Sequence, residues 1–269
     1  VREPTRTPLS AWLIFAVVLL YLGLPVLGTA LYALATRWDS SLLPEGYTLA
    51  WFRDVLTDPK VAASLLRSVI VSAATVVLVW AVTVPALVAA HVYLPRLKRL
   101  LEVAVLAPYA IPPVVMAVGL IQIYSKGPLS IAGTPWILIF SYTVICLPLV
   151  VGAVGNSLQA IDIRTLMEAA ESLGASRGRA FVRVILPNLT PGLISSGVLT
   201  FAVSLGEFVL ANMLVGGRFE TLQIRLVQIM RFDGHQASAL VIFYFIVVAA
   251  ASLLLMSGVR QVMGGPRGG

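Results

Sequence analysis

Six apolar stretches, each about 20 residues or longer, divide the 269-residue chain near 11–35, 64–90, 102–124, 136–158, 192–215 and 236–259. A stretch of that length matches the hydrocarbon thickness of a bilayer when it is helical. In lipid the backbone must satisfy its own hydrogen bonds, and the alternation of a membrane barrel is missing, so helices are the expected form. Composition agrees. Hydrophobic residues make up 59% and charged residues 12%, with a mean hydropathy of +0.94. Soluble domains carry about twice that share of charge. The expected fold class is therefore all-α: a polytopic membrane protein with six transmembrane helices.

Domain organisation follows from the same pattern. Residues 1–60 are expected to form an N-terminal spanning helix and an outside loop, 61–260 a membrane domain, and 261–269 a tail. The first run, although preceded by Arg2 and Arg6, is longer than a signal-peptide core and reads as a retained span. Within 36–63, Trp38, Pro44, Trp51, Phe52 and Pro59 suggest a loop with a short helix, either resting at the headgroup level or packed on the bundle.

The net charge is +7, but the basic residues fall between apolar runs, which points to topology and the anionic membrane surface rather than nucleic acid. With both termini inside, Arg2, Arg6, Arg96, Lys98, Arg99, Arg164, Arg177, Arg179, Arg183, Arg260 and Arg267 are cytoplasmic, eleven of the 19 Lys and Arg. Cys146 is the only cysteine and lies in an apolar run, which excludes a disulfide framework within the chain. His91 is expected at a cytoplasmic edge and His235 in an outside loop, and so placed they suggest neither a metal site nor a catalytic pair.

The most informative polar segment is 162–187. Its first half is rich in helix formers, with Asp162 near the start, where the helix dipole favours a carboxylate. Gly174 suits a left-handed turn, Ser176 can cap a second helix carrying Arg179 and Arg183 on one face, and Pro187 is expected to end it. Ala169 and Ala170 would let another surface approach closely. Glu168, Ala169, Ala170, three residues, Gly174, nine residues, Val184, one residue, Leu186 and Pro187 form a composite pattern. It resembles the EAA loop of permease subunits of binding-protein-dependent type I ABC importers. The one departure is Val184, where isoleucine is common.

That resemblance covers roughly residues 60–260 and implies a MetI-like permease fold in which 162–187 is a cytoplasmic coupling loop. It implies two ATP-binding subunits, which carry the ATP and Mg, a second and different permease chain, an external solute-binding protein, and a plasma-membrane location. The chain itself would bind no cofactor and is not expected to be an enzyme. It contains no G-x-x-x-x-G-K-[ST] loop around Lys60, Lys98 or Lys126. The surroundings of 168–176 and 204–208 are similar to the spermidine/putrescine, 2-aminoethylphosphonate, iron and sulfate or molybdate group, with polyamine or 2-aminoethylphosphonate favoured as substrate.

Polar residues also stand inside the apolar runs. Glu207 either borders the translocation path or pairs at a subunit interface, because a carboxylate at membrane depth needs a cavity or a partner. Asn156 and Asn212 either line the path or bond helices together. Ser68 and Ser72 read as close-packing positions, and Pro108, Pro112 and Pro113 predict a kink in the third run. A membrane-embedded enzyme would need clustered catalytic groups that the apolar runs lack. A stand-alone secondary carrier or channel, the remaining alternative, would favour repeats and several midplane polar groups.

Overall fold

In the computed structural model the protein is described over residues 9–39 and 41–263, and it is helical. The expected tail beyond 263 and the residues Arg2, Arg6 and Arg267 lie outside the described residues. So do the side chains of Arg96, Lys98, Arg99 and Arg260. The helices in chain order are α1 (Leu9–Leu34), α2 (Ala50–Thr57), α3 (Pro59–Val92), α4 (Pro95–Ala110), α5 (Pro113–Tyr124), α6 (Pro135–Gln159) and α7 (Ile163–Ser172). They continue as α8 (Arg177–Ala180), α9 (Leu186–Asn188), α10 (Thr190–Gly206), α11 (Val209–Leu214), α12 (Leu222–Met230) and α13 (Gly234–Met263). Among the described residues the only β pairing is an isolated antiparallel bridge between Ala35 and Tyr47.

Four of the apolar runs are single helices long enough to cross a bilayer: Ser10–Leu34, Pro59–Val92, Pro135–Gln159 and Gly234–Ser257. The third expected span is instead two helices, α4 and α5, separated at Ile111 and Pro112. Pro112 and Pro113 lack N–H donors, and the residue before a proline is pushed out of the α region, so the expected kink is a full break. The helix also begins earlier than expected. Residues 91–101 are not a loop, because α4 starts at Pro95, only Tyr93 and Leu94 beyond the end of α3.

The fifth expected span is interrupted as well: α10 ends at Gly206 and α11 begins at Val209. Glu207 stands in the break with an extended backbone, φ −75° and ψ 121°.

The chain divides into two compact units. One comprises the chain up to residue 59 together with 226–246. There, the short helix α2 follows the bridge at Ala35, and Trp51 donates its indole N–H to the Ala35 carbonyl at 2.9 Å. His235 stacks between Tyr32 (4.0 Å between centroids) and Trp51 (5.7 Å). His235 lies in the first turn of α13, not in a loop. Asp233 precedes that helix and accepts the N–H groups of His235 and Gln236.

The other unit, 60–225 with 247–269, holds most of the core. One buried cluster joins Val79, Val84, Leu87 and Val88 of α3 with Val150, Val154 and Leu158 of α6, and with Leu193 of α10. A second surrounds Val71, Ala117, Ile137, Leu138, Tyr142, Leu210 and Ala211. Helices α6 and α10 meet closely at Gly192, where a Cβ would lie 2.6 Å from Ser157 Oγ and 2.8 Å from the Ala153 carbonyl. Only glycine allows that approach. Ser68 is buried, as a packing position should be, and it also acts as a cap. Its Oγ accepts the Leu222 N–H at 2.8 Å, at the start of α12.

Candidate functional site

The polar segment 162–187 folds as two helical pieces around one glycine. Asp162 caps α7: Oδ1 accepts the Thr165 N–H at 3.2 Å, and Oδ2 accepts the Thr165 hydroxyl at 2.7 Å. Those bonds, the hydroxyl first, hold the Asp162 carboxyl below its ordinary pKa. At the other end Gly174 has φ +81°, the Gly174 N–H bonds to the Glu171 carbonyl, and the Ala175 N–H reaches back to the Ala170 carbonyl at 3.0 Å. This is the paired-bond glycine stop of a helix.

Helix α7 has two faces. Ile163, Met167 and Ala170 recur at i, i+4 and i+7 and are buried in the cluster shared with α3, α6 and α10. Burying a side chain such as Ile or Met stabilises by about 1.5–3 kcal/mol. Glu168, Ala169, Leu173 and Gly174 are exposed, and Leu173 is 90% exposed. The two alanines therefore differ. Ala169 faces outward, whereas Ala170 belongs to the core and cannot receive another surface.

After Gly174 the chain turns into a rod running from Arg177 to Asn188. Ser176 precedes it with an extended backbone, but its side chain makes no capping bond. Pro187 lies one residue before the end of the rod at Asn188. A π turn at Phe181–Ile185, closed by the Leu186 N–H on the Phe181 carbonyl, widens the helix just before it. That turn gives room to a ring that would otherwise crowd the preceding carbonyl. Asn188 Nδ2 then bonds the Val184 carbonyl at 2.7 Å, and at Leu189 the chain bends by 74° into α10. Arg179 and Arg183 are exposed, while Ala180, Ile185 and Leu189 join the core cluster. Leu186 and Pro187 are half-buried.

Arg177 ties the two pieces together. Its Nε lies 3.5 Å from Glu171 Oε1, and its guanidinium sits 5.0 Å over the ring of Tyr93, just past α3. Beside it opens a recess of about 300 Å³ lined by Tyr93, Arg164, Met167, Glu168 and Glu171. Neither Tyr93 nor Leu173 stands out in the sequence. The exposed Leu beside the glycine is the available signal for the second.

Glu207, Asn156 and Asn212 do not form one cluster. Glu207 is half-buried and turns both oxygens onto α11: Oε1 accepts the Leu210 N–H and Oε2 the Ala211 N–H, each at 3.1 Å. Asn212 is exposed near the end of α11, whose Leu214 carbonyl accepts the Gly133 N–H just before α6 begins. Asn156, also exposed, lies at the far end of α6, 21 residues beyond Pro135, or about 30 Å at helical rise. Among the described residues no group of three or more His, Cys, Asp or Glu is placed to hold a metal ion.

Residues 81–262 match the family model described as the binding-protein-dependent transport system inner membrane component. The chain belongs to that family. The permease is 28% identical over 190 residues to the spermidine/putrescine transport system permease protein PotC of Escherichia coli (strain K12), covering 70% of each chain. It is also 28% identical over 211 residues to PhnV of Salmonella typhi, assigned to a 2-aminoethylphosphonate transport system as a permease protein; 78% of this chain and 79% of PhnV are covered. Among solved structures, it is similar to a chain in the crystal structure of a bacterial ABC transporter involved in the import of the acidic polysaccharide alginate. That likeness has a TM-score of 0.73 at 14% identity, over 95% of this chain and 99% of that one. At such identity the likeness speaks for the fold, which is the MetI-like fold of ABC importer permeases. The permease is thus a multi-pass inner-membrane protein, and the 168–187 pattern falls within the matched region.

Proposed function

We infer that the permease forms half of a translocation path and is powered by a separate ATPase that docks on 162–187. The observation that carries this is the division of α7. Ile163, Met167 and Ala170 are rooted in the cluster with α3, α6 and α10, while Glu168, Ala169, Leu173 and Gly174 are left facing outward. A partner gripping the outer face would move the three longer helices as the inner face moves. Nucleotide-driven closure of an ATPase pair, holding ATP and Mg, would then switch the path between inward- and outward-open states.

In this reading the docking loop and both termini are cytoplasmic. The assembly contains two ATP-binding subunits, a second and different permease chain, and an external binding protein that delivers the solute. Polyamine or 2-aminoethylphosphonate is the favoured solute, a choice supported by the names of the similar permeases. A stand-alone carrier or channel would need no partner. Affinity purification of the permease from cells expressing its neighbouring genes tests the difference. Stoichiometric recovery of an ATP-binding subunit is expected, and solute transport by the permease alone would overturn the reading.

A further inference from the structure

The coupling segment lies at one end of α6, and the opposite end carries a different kind of site. Where α5 ends, α6 begins and α11 gives way to the turn at Gly216–Phe219, a recess of about 250 Å³ is lined by Ile121, Ser125, Gly133, Asn212, Met213 and Arg218, among others. Arg218 lies across Gly133: a Cβ built there would meet Arg218 Nη1 at 3.0 Å. Among the described residues neither the Arg218 guanidinium nor the Asn212 carboxamide has a hydrogen-bond or ion-pair partner. Lys126, also exposed, follows Ser125 directly.

Among the described residues no carboxylate lines this recess. Glu207, in the break just before α11, turns both oxygens onto the N–H groups of Leu210 and Ala211. Glu220, two residues past Arg218, is not among the lining groups. A free guanidinium offers a planar fork of donors that matches the oxygens of a phosphonate, phosphate or carboxylate. The amide of Asn212 and the hydroxyl of Ser125 add neutral donors beside it. A polyamine would instead meet a like charge in the lining.

We propose that this recess receives the compact oxyanion group of a small solute, with Arg218 as its principal contact and Asn212 and Ser125 as flanking donors. The proposal rests on the transport reading and narrows it: the cargo carries an oxyanion, alone or beside an amine, and is not a simple polycation.

Protection of an introduced thiol tests this in the purified transporter, in dodecyl maltoside, which contains no phosphate. Cys146 is buried, so maleimide reports a Met213→Cys substitution in the recess. Methylphosphonate should slow labelling at least fivefold, and Arg218→Gln should abolish that protection while Arg218→Lys keeps part of it. Equal protection by putrescine, or protection unchanged in Arg218→Gln, overturns the proposal. Protection by dihexanoylphosphatidylglycerol but not by methylphosphonate would assign the recess to a lipid headgroup and also overturn it. Glu168→Lys should leave protection intact, so failure of the coupling loop and failure of the recess give separate results.

Discussion

Glu207 accepts the backbone N–H of Leu210 through Oε1 at 3.1 Å, with Ala211 held by the second oxygen at the same distance. A carboxylate that by position alone suggests either the border of a translocation path or a pairing at a subunit interface is thereby engaged as the cap of a short helix. Glu207→Ala should remove both bonds and destabilise the α10–α11 break by about 1–2 kcal/mol. Glu207→Gln keeps one acceptor and should cost less. Thermal unfolding in detergent measures this. A path ligand would give the reverse pattern, with unchanged melting and lost uptake in Glu207→Gln.

Gly192 is one point at which α10 touches α6. Gly192→Val forces a side chain against the Ala153 carbonyl, 2.8 Å from a Cβ, and backbone there cannot step aside. A loss of about 1–3 kcal/mol is expected, read as a lower melting temperature. An unchanged melt would mean the helices are not in that contact.

The carboxyl of Asp162 is held below its ordinary pKa by the Thr165 hydroxyl and N–H. A depressed folded-state pKa contributes stability that is present above the unfolded value, near 4, and is lost as pH falls through the folded value. Protection of the α7 amides from hydrogen exchange, relative to their intrinsic rates at each pH, should therefore fall on acidification below about pH 4. Asp162→Asn keeps an accepting oxygen without the titration and should flatten that response. Equal acid sensitivity in the two proteins would count against the cap.

Leu173 is 90% exposed beside Gly174 and makes no contribution to the core clusters. Leu173→Asp should leave stability within about 0.5 kcal/mol of the parent, as surface changes do. The same change should reduce co-purification of the ATPase at least tenfold. Full retention of the partner would move the docking face elsewhere on the loop.

How much of this is legible in sequence depends on how the backbone manages its polar groups. Runs such as 136–158 are uninterrupted, and α6 matches them within a residue at each end. Pro112 and Pro113 announce a bend, which becomes the α4–α5 break because neither can donate to the carbonyls of α4. The break at Glu207 is hidden: helix caps favour Ser, Thr, Asp and Asn, so a glutamate there reads as a path or interface residue. Pro187 does mark the end of the rod to within a residue, whereas the π turn at Phe181–Ile185 that precedes it has no signal in residue type. In the loop, the glycine turn at 174 is readable from residue type alone. The different fates of Ala169 and Ala170 need the register of Ile163 and Met167, which assigns only one of them to the buried face. Arg218 and Ser125 carry no signal, because Ser125, Gly133 and Arg218 meet only after α5, α6 and α11 are in place.

The central claim is that the outer face of 162–187 couples the permease to a separate ATPase. Solute uptake by proteoliposomes containing the whole transporter, with ATP hydrolysis measured in parallel, tests it most directly in Glu168→Lys and Gly174→Asp. The first reverses a charge on the exposed face, and the second places a side chain at φ +81°. Both variants should insert and fold while losing solute-driven ATP hydrolysis and uptake at least tenfold. Parental uptake and hydrolysis in both variants would contradict the account.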